Sequence, residues 1–119
     1  MAARDFRFSK SRRLTRTSDF KRVKKEGGIE RGRLLALGFL AFPDATFRAG
    51  FVTSRGVGGA VVRNRVRRRL REIIRQDRHL LRPDVWIVLI ARPPAARALS
   101  RDLRDEWLRL AKRASILAA

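Results

Sequence analysis

Apolar residues recur along the chain in runs of two kinds, and the kind of run predicts the element. From Arg33 to Phe42 (RLLALGFLAF) and from Val85 to Ala91 (VWIVLIA) the runs are continuous. Runs of that length, bounded by turn residues, predict buried strands, and Val85–Ala91 predicts a central strand covered on both faces. Pro43 to Thr46 marks a turn, after which Phe47 to Ser54 (FRAGFVTS) is expected to form a second strand and close a hairpin with the first. A short extra strand is expected around Ile29 to Arg31. Elsewhere the period is helical. Thr17-Ser18-Asp19 offers an N-cap, Phe20 and Val23 share a face, and Gly27-Gly28 stops the helix. From Ala60 to Gln76, Val62, Val66, Leu70, Ile73 and Ile74 fall inside an arc of about 80° at roughly 100° per residue. Asp77 to Pro83 ends this helix. Ser100 caps a last helix reaching about Ala114, with Leu99, Leu103, Trp107, Leu110 and Ala114 on one side. The order helix, strand, strand, helix, strand, helix predicts an α+β fold. We expect a two-layer α/β sandwich with about four strands and a central crossover helix in a βαβ unit.

Residues 1–16 (MAARDFRFSKSRRLTR) lack either period and read as a basic N-terminal arm, with 17–119 as a single domain. Asp5 and the shortness of the arm argue against an organelle transit peptide. No apolar run approaches the length of a membrane span, and Met1 to Lys10 has no apolar signal core, so no membrane association is expected. The chain has no cysteine and one histidine, which excludes disulfides, thiolate zinc sites and cysteine nucleophiles. A reducing, cytoplasmic setting fits.

Charge changes the picture most. Thirty Lys+Arg against 11 Asp+Glu give a formal charge of +19 in 119 residues, while 45% of residues are hydrophobic, which supports a folded core beneath the charge. Such an excess costs stability by self-repulsion and points to a polyanionic partner. Arginines outnumber lysines 25 to 5, which suits bidentate phosphate contacts and stacking on bases.

The helix Ala60–Gln76 concentrates this chemistry, with seven arginines against the single acid Glu72. Arg63, Arg67, Arg71 and Arg75 flank one edge of its apolar stripe; Arg65, Arg68 and Arg69 flank the other. A solvated helix face interleaves acids with bases, and these ridges do not. Like charges along each ridge repel unless anions sit between them, so two ridges imply two polyanion surfaces. A helix-turn-helix DNA binder fits poorly, because strand-like segments on both sides leave no partner helix.

The run Ser54-Arg55-Gly56-Val57-Gly58-Gly59-Ala60-Val61-Val62-Arg63-Asn64-Arg65-Val66-Arg67-Arg68 resembles the signature of the protein component of bacterial ribonuclease P. Asp19-Phe20, Val23 and Gly27 upstream, and Val88-Leu89-Ile90-Ala91-Arg92 downstream, stand at family-like spacings, so the resemblance spans about residues 13 to 114. It implies a protein subunit that binds the catalytic ribonuclease P RNA and the 5′ leader of precursor tRNA, and assists endonucleolytic removal of the leader. The RNA would carry the chemistry with magnesium, and the protein would act as a monomer with no catalytic residue or metal site of its own. Carried over residue by residue, it assigns Arg63, Asn64, Arg65, Arg68 and Arg69 to the catalytic RNA. It assigns Phe20, Lys24, Arg55, Arg67 and Arg71 to the leader, with Phe20 as a stacking platform. Phe20 also reads as a core anchor beside Val23, and the two roles are compatible. Lys24 and Gly38 stand where relatives often carry aromatic rings, and Gly56 replaces a frequent lysine. Leader contacts here are therefore expected to lean on charge.

Protein-borne catalysis is not expected, because acid–base or nucleophilic work needs a tuned pair or triad. His79 stands alone beside a turn. Asp102, Asp105 and Glu106, surrounded by Arg101, Arg104 and Arg109, read as ordinary helix salt bridging and not as a metal site. The alternative function is a structural ribosomal-type RNA-binding protein with no substrate role.

Overall fold

A computed structural model describes residues 13, 14 and 16–118. Its main elements are α1 (Thr17–Glu26), β1 (Gly28–Arg31), β2 (Leu35–Ala41), β3 (Arg48–Thr53), α2 (Ala60–Asp77), β4 (Val85–Ala91) and α3 (Ser100–Arg113). Short 3-10 turns at Arg55–Val57, Arg78–Leu80 and Pro93–Arg97 join them. The four strands form one mixed sheet in the order β1-β2-β4-β3. Residues 1–12 of the expected arm lie outside the described residues. Arg13 and Leu14, also assigned to the arm, form a parallel bridge to Ala49 and pack on β3, with Leu14 only 3% exposed.

The expected hairpin between β2 and β3 does not form. β4 lies between them, antiparallel to β2 from Leu35↔Ala91 to Ala41↔Val85 and parallel to β3 from Arg48↔Trp86 to Thr53↔Ala91. Two sequence signals competed here. A strand apolar on both faces takes the middle of the sheet, and that preference overrode the short connection between β2 and β3. The parallel β3–β4 pair then requires a crossover, which α2 provides. The hairpin belongs instead to β1 and β2, registered Gly28↔Phe39 through Arg31↔Ala36.

One face of the sheet is closed. Leu35, Leu37, Phe47, Ile87 and Leu89 pack there against Val66, Leu70 and Ile74 of α2 and Leu103, Trp107 and Leu110 of α3. On the opposite face α1 covers only part of the sheet, and Val23 with Leu14 packs on Leu40, Trp86 and Val88. Helix ends differ from expectation. Thr17–Asp19 lie inside the first turn of α1 behind Arg16, and Ser100 is the first residue of α3 behind Leu99, with no side-chain cap at either end. Leu99, expected on the apolar stripe, is 55% exposed, because it precedes the helix and not one of its turns.

Two acids correct the sequence reading. Glu106, expected in ordinary helix salt bridging, does pair with Arg109 at 3.8 Å, but it is buried and its carboxylate chiefly accepts backbone N–H bonds from Arg33 (3.2 Å), Leu34 (2.7 Å) and Leu35 (2.6 Å). It thereby satisfies the donors where the chain enters β2. A Cβ at Gly32 would come within 2.6 Å of its carboxyl carbon, so this turn has room only for glycine. Asp77, expected merely to end α2, is buried and holds Arg104 through two bonds (3.2 and 3.0 Å) and the Trp107 indole N–H (3.2 Å). Arg104 therefore pairs between helices, where burial favours a fully bonded carboxylate. Its own pKa is raised, first by that hydrogen bond and then by the Asp77 charge.

Candidate nucleic-acid interface

The partly covered sheet face carries an open groove of about 600 Å³ beside α1. Phe20, Val23 and Lys24 of α1 form one wall; Gly27, Gly28, Ile29 and Arg31 form the end; Gly38, Val52, Val88 and Ile90 form the floor. Among the described residues no carboxylate lines it, and the formal charges on its lining are those of Lys24 and Arg31. Side chains alternate across a strand, which is why Val88 and Ile90 face the groove while Ile87 and Leu89 enter the closed core. Ile29 and Val52 are 41% and 37% exposed, leaving apolar surface open to a ligand.

Two glycines shape this face. A Cβ at Gly50 would lie 2.7 Å from the Phe20 ring, so the ring rests directly on β3 backbone. Phe20 is therefore half-buried against the small core cluster and lines the groove at once, a position compatible with both sequence-based roles. A Cβ at Gly38 would meet Val23 at 3.4 Å, an ordinary contact, so glycine there leaves floor space that a side chain could fill.

Around the edge of β3 the groove passes to the first arginine ridge. Arg67 donates to the Thr53 hydroxyl (3.1 Å) and to the Asn64 carboxamide oxygen. The Arg71 guanidinium lies 5.7 Å from the Phe51 ring centre, a cation–π arrangement. Its pKa is lowered by burial first, then by the neighbouring charges of Arg13 and Arg67. Arg13 reaches this edge because Leu14 N–H donates to the Ala49 carbonyl at 3.0 Å. Three guanidiniums thus crowd one strand edge, and neither Arg13, Arg67 nor Arg71 has an ion-pair partner among the described residues.

Arg55 is exposed on the turn before α2. Gly58 adopts φ +150°, and a Cβ there would also press on Val62 at 2.9 Å. The first turn of α2 has no acid and no side-chain cap, so its N–H groups remain open to an anion. Beyond it Arg65 and Arg68 are exposed, while Arg69 is half-buried and donates to the Ala98 carbonyl at 3.1 Å. The two assigned groups are not segregated, since Asn64 from the catalytic-RNA set bonds Arg67 from the leader set. Phe20 and Lys24 lie on the other face of the sheet from Arg65, Arg68 and Arg69.

Sequence reasoning missed Ile29, Arg31, Val52 and Ile90 as residues lining the groove, and Arg13 as a neighbour of Arg71 at the β3 edge. Alternation along β4 marks Val88 and Ile90 as sharing a face, but only the strand order shows that Val52 and Ile29 lie beside it. His79 is exposed in the Arg78–Leu80 turn, and no group of three or more potential metal ligands occurs among the described residues. No helix among them is long and apolar enough to cross a membrane.

The Ribonuclease P family matches residues 8–115. The ribonuclease P protein component of Acidothermus cellulolyticus is 44% identical over 101 residues, covering 82% of this chain and 83% of the relative. That of Beutenbergia cavernae is 38% identical over 113 residues, covering 90% and 94%. Among solved structures, the RNase P protein of Staphylococcus aureus superposes with a TM-score of 0.82 at 25% identity, covering 92% of this chain and all of that one. The RNase P protein of Thermotoga maritima gives 0.76 at 30% identity, covering 85% and 96%. With the signature helix, the mixed sheet and these matches in agreement, the chain belongs to the ribonuclease P protein family, the protein subunit of ribonuclease P.

Proposed function

We propose that this subunit binds the single-stranded 5′ leader of precursor tRNA in the α1 groove and along the β3 edge, while the outer arginines of α2 hold the catalytic RNA. The observation that carries this reading is the acid-free groove, floored by apolar strand residues, that leads around β3 to Arg67 and Arg71. Phe20 offers a ring for one leader base, and Arg67 and Arg71 offer guanidiniums for adjacent phosphates. Lys24, Arg31 and Arg55 add charge along the path.

In this reading the RNA subunit carries the cleavage with magnesium, and the protein increases the affinity of the RNA for precursor over mature tRNA. The protein supplies orientation and charge, and it acts as one copy in a cytoplasmic holoenzyme. The absence of cysteine and the solitary, exposed His79 agree with a non-catalytic chain.

The test compares affinity for precursor and mature tRNA in the reconstituted holoenzyme. Phe20→Ala and Arg67→Ala are each expected to weaken precursor binding about tenfold and leave mature tRNA binding unchanged. Equal weakening of both substrates overturns leader recognition. Unchanged binding of both substrates would favour a purely structural RNA-binding role with no substrate contact.

A further inference from the structure

On the closed side of the sheet, α2 and α3 diverge and leave an open groove of about 430 Å³ between their outer faces. Arg68 and Arg69 of α2 and Arg101 and Arg104 of α3 line it. We propose that this groove holds the phosphodiester backbone of the holoenzyme's RNA, so that the catalytic-RNA footprint extends from α2 onto α3 through Arg101 and Arg104. This rests on the reading above that the outer arginines of α2 face the catalytic RNA.

The charge balance of the groove carries the argument. Arg68 and Arg101 are exposed and form no ion pair among the described residues. Arg69 is fixed by its bond to the Ala98 carbonyl, a neutral acceptor that leaves its charge uncompensated. Arg104 is compensated by Asp77, and that two-bond grip holds it against α2. The one acid lining the groove, Glu72, is already engaged by Arg75 and by Gln76 at 3.2 Å. Asp105 contributes a further, exposed acid next to Arg104. Three guanidiniums, Arg68 and Arg69 on α2 and Arg101 across the groove on α3, thus have no ion-pair partner among the described residues.

Such an arrangement repels itself in isolation and is relieved by anions bridging the two helices. Arginine's planar fork suits phosphate oxygens, and a repeating backbone meets several forks at once. The groove opens on the layer away from the leader groove, with the sheet between them, so its occupant is bound independently of the leader strand. Its charge continues that of Arg65 and Arg68 on α2, which ties it to the same RNA.

The experiment measures binding of ribonuclease P RNA to the whole protein, and precursor versus mature tRNA affinity in the assembled holoenzyme. Arg101→Glu is expected to weaken RNA binding at least tenfold and to flatten its salt dependence, with the precursor-to-mature ratio unchanged. A glutamate in the first turn of α3 suits the helix dipole, so loss of fold is not expected. Arg101→Gln, which removes the charge without reversing it, is expected to give about a threefold loss. Arg68→Glu combined with Arg101→Glu should weaken binding by less than the product of the single effects, because both contact one backbone. Unchanged RNA affinity in Arg101→Glu overturns the proposal even if Arg68→Glu weakens binding. A fall in the precursor-to-mature ratio also overturns it, by assigning the groove to the leader. Conversely, Phe20→Ala without effect on the ratio, together with an Arg101→Glu defect in RNA binding, would sink the leader reading and leave the α2–α3 groove standing.

Discussion

Leu89 and Ile90 are neighbours on β4, yet they serve opposite faces of the sheet. Leu89 is fully buried beneath α2 and α3, whereas Ile90 is half-buried and lines the α1 groove. On the closed face, Leu70, Ile74, Leu103 and Trp107 fill the space between helices and sheet with 0% exposure. On the open face, glycines occupy positions 38 and 50, and Val52 and Ile29 remain in contact with solvent. The difference separates two tasks in one sheet. Cohesion comes mainly from the face that two helices seal, whereas the other face is left under-covered and is the one to which the proposed function assigns the leader strand.

Substitution of those two neighbours is the most direct way to break this comparison. Leu89→Ala is expected to cost about 3–4 kcal/mol of folding stability in urea unfolding, through lost burial and a cavity that the packed layers cannot close. Ile90→Ala should cost about 1 kcal/mol, since part of its surface is already in water. Leader affinity should respond in the reverse order, with Ile90→Ala weakening precursor binding and Leu89→Ala leaving it unchanged under conditions where the variant is folded. Equal stability costs would mean that the open face is as cohesive as the closed one.

A second test concerns how the closed face is joined to the chain entering it. Glu106→Ala removes the acceptor for three backbone N–H groups at residues 33–35. Leaving buried donors unpaired is expected to cost about 2–3 kcal/mol, read as a lowered urea midpoint with an unchanged slope. A loss below about 0.5 kcal/mol would show that water replaces the carboxylate and that the turn is not sealed.

The sequence made the elements legible because their signals are local. The period of Val62 to Ile74 defined α2, and the run Val85–Ala91 matches β4 at both ends. Strand order was not legible. It depended on β4 inserting between β2 and β3, a contact between segments more than thirty residues apart. The same non-locality hid Glu106, whose partners lie more than seventy residues upstream and are backbone groups that carry no sequence signature. The arginine ridges could be drawn on a helical wheel, but their surroundings could not. The bond from Arg67 to Thr53, the ring beneath Arg71 and the arrival of Arg13 all depend on the β3 edge.

That edge offers a third, smaller test, now of the open side. Arg71 shares its position with Arg13 and Arg67, and burial already lowers its affinity for its proton. Removing one of three mutually repelling cations should leave stability unchanged or slightly higher. Arg71→Ala is nevertheless expected to weaken leader binding and to reduce the slope of log K against log salt by about 0.7, the share of one single-strand phosphate. An unaltered slope would mean that Arg71 serves only to cover Phe51.

The smallest expected effect discriminates most finely between the two faces. A Cβ at Gly38 would sit 3.4 Å from Val23 and 3.7 Å from Val88, at ordinary contact distances. Gly38→Ala should therefore fit without displacement and stabilise the fold by about 0.5 kcal/mol, because alanine loses less backbone entropy than glycine in a strand. If the open face were merely an imperfect core, that gain would come free of any functional cost. If the missing side chain is what keeps the floor low enough for a leader base, the same methyl group should lower precursor affinity by about twofold while mature tRNA binding stays constant. A stabilised protein with slightly poorer leader discrimination would locate the function of this face in the space that glycine leaves empty.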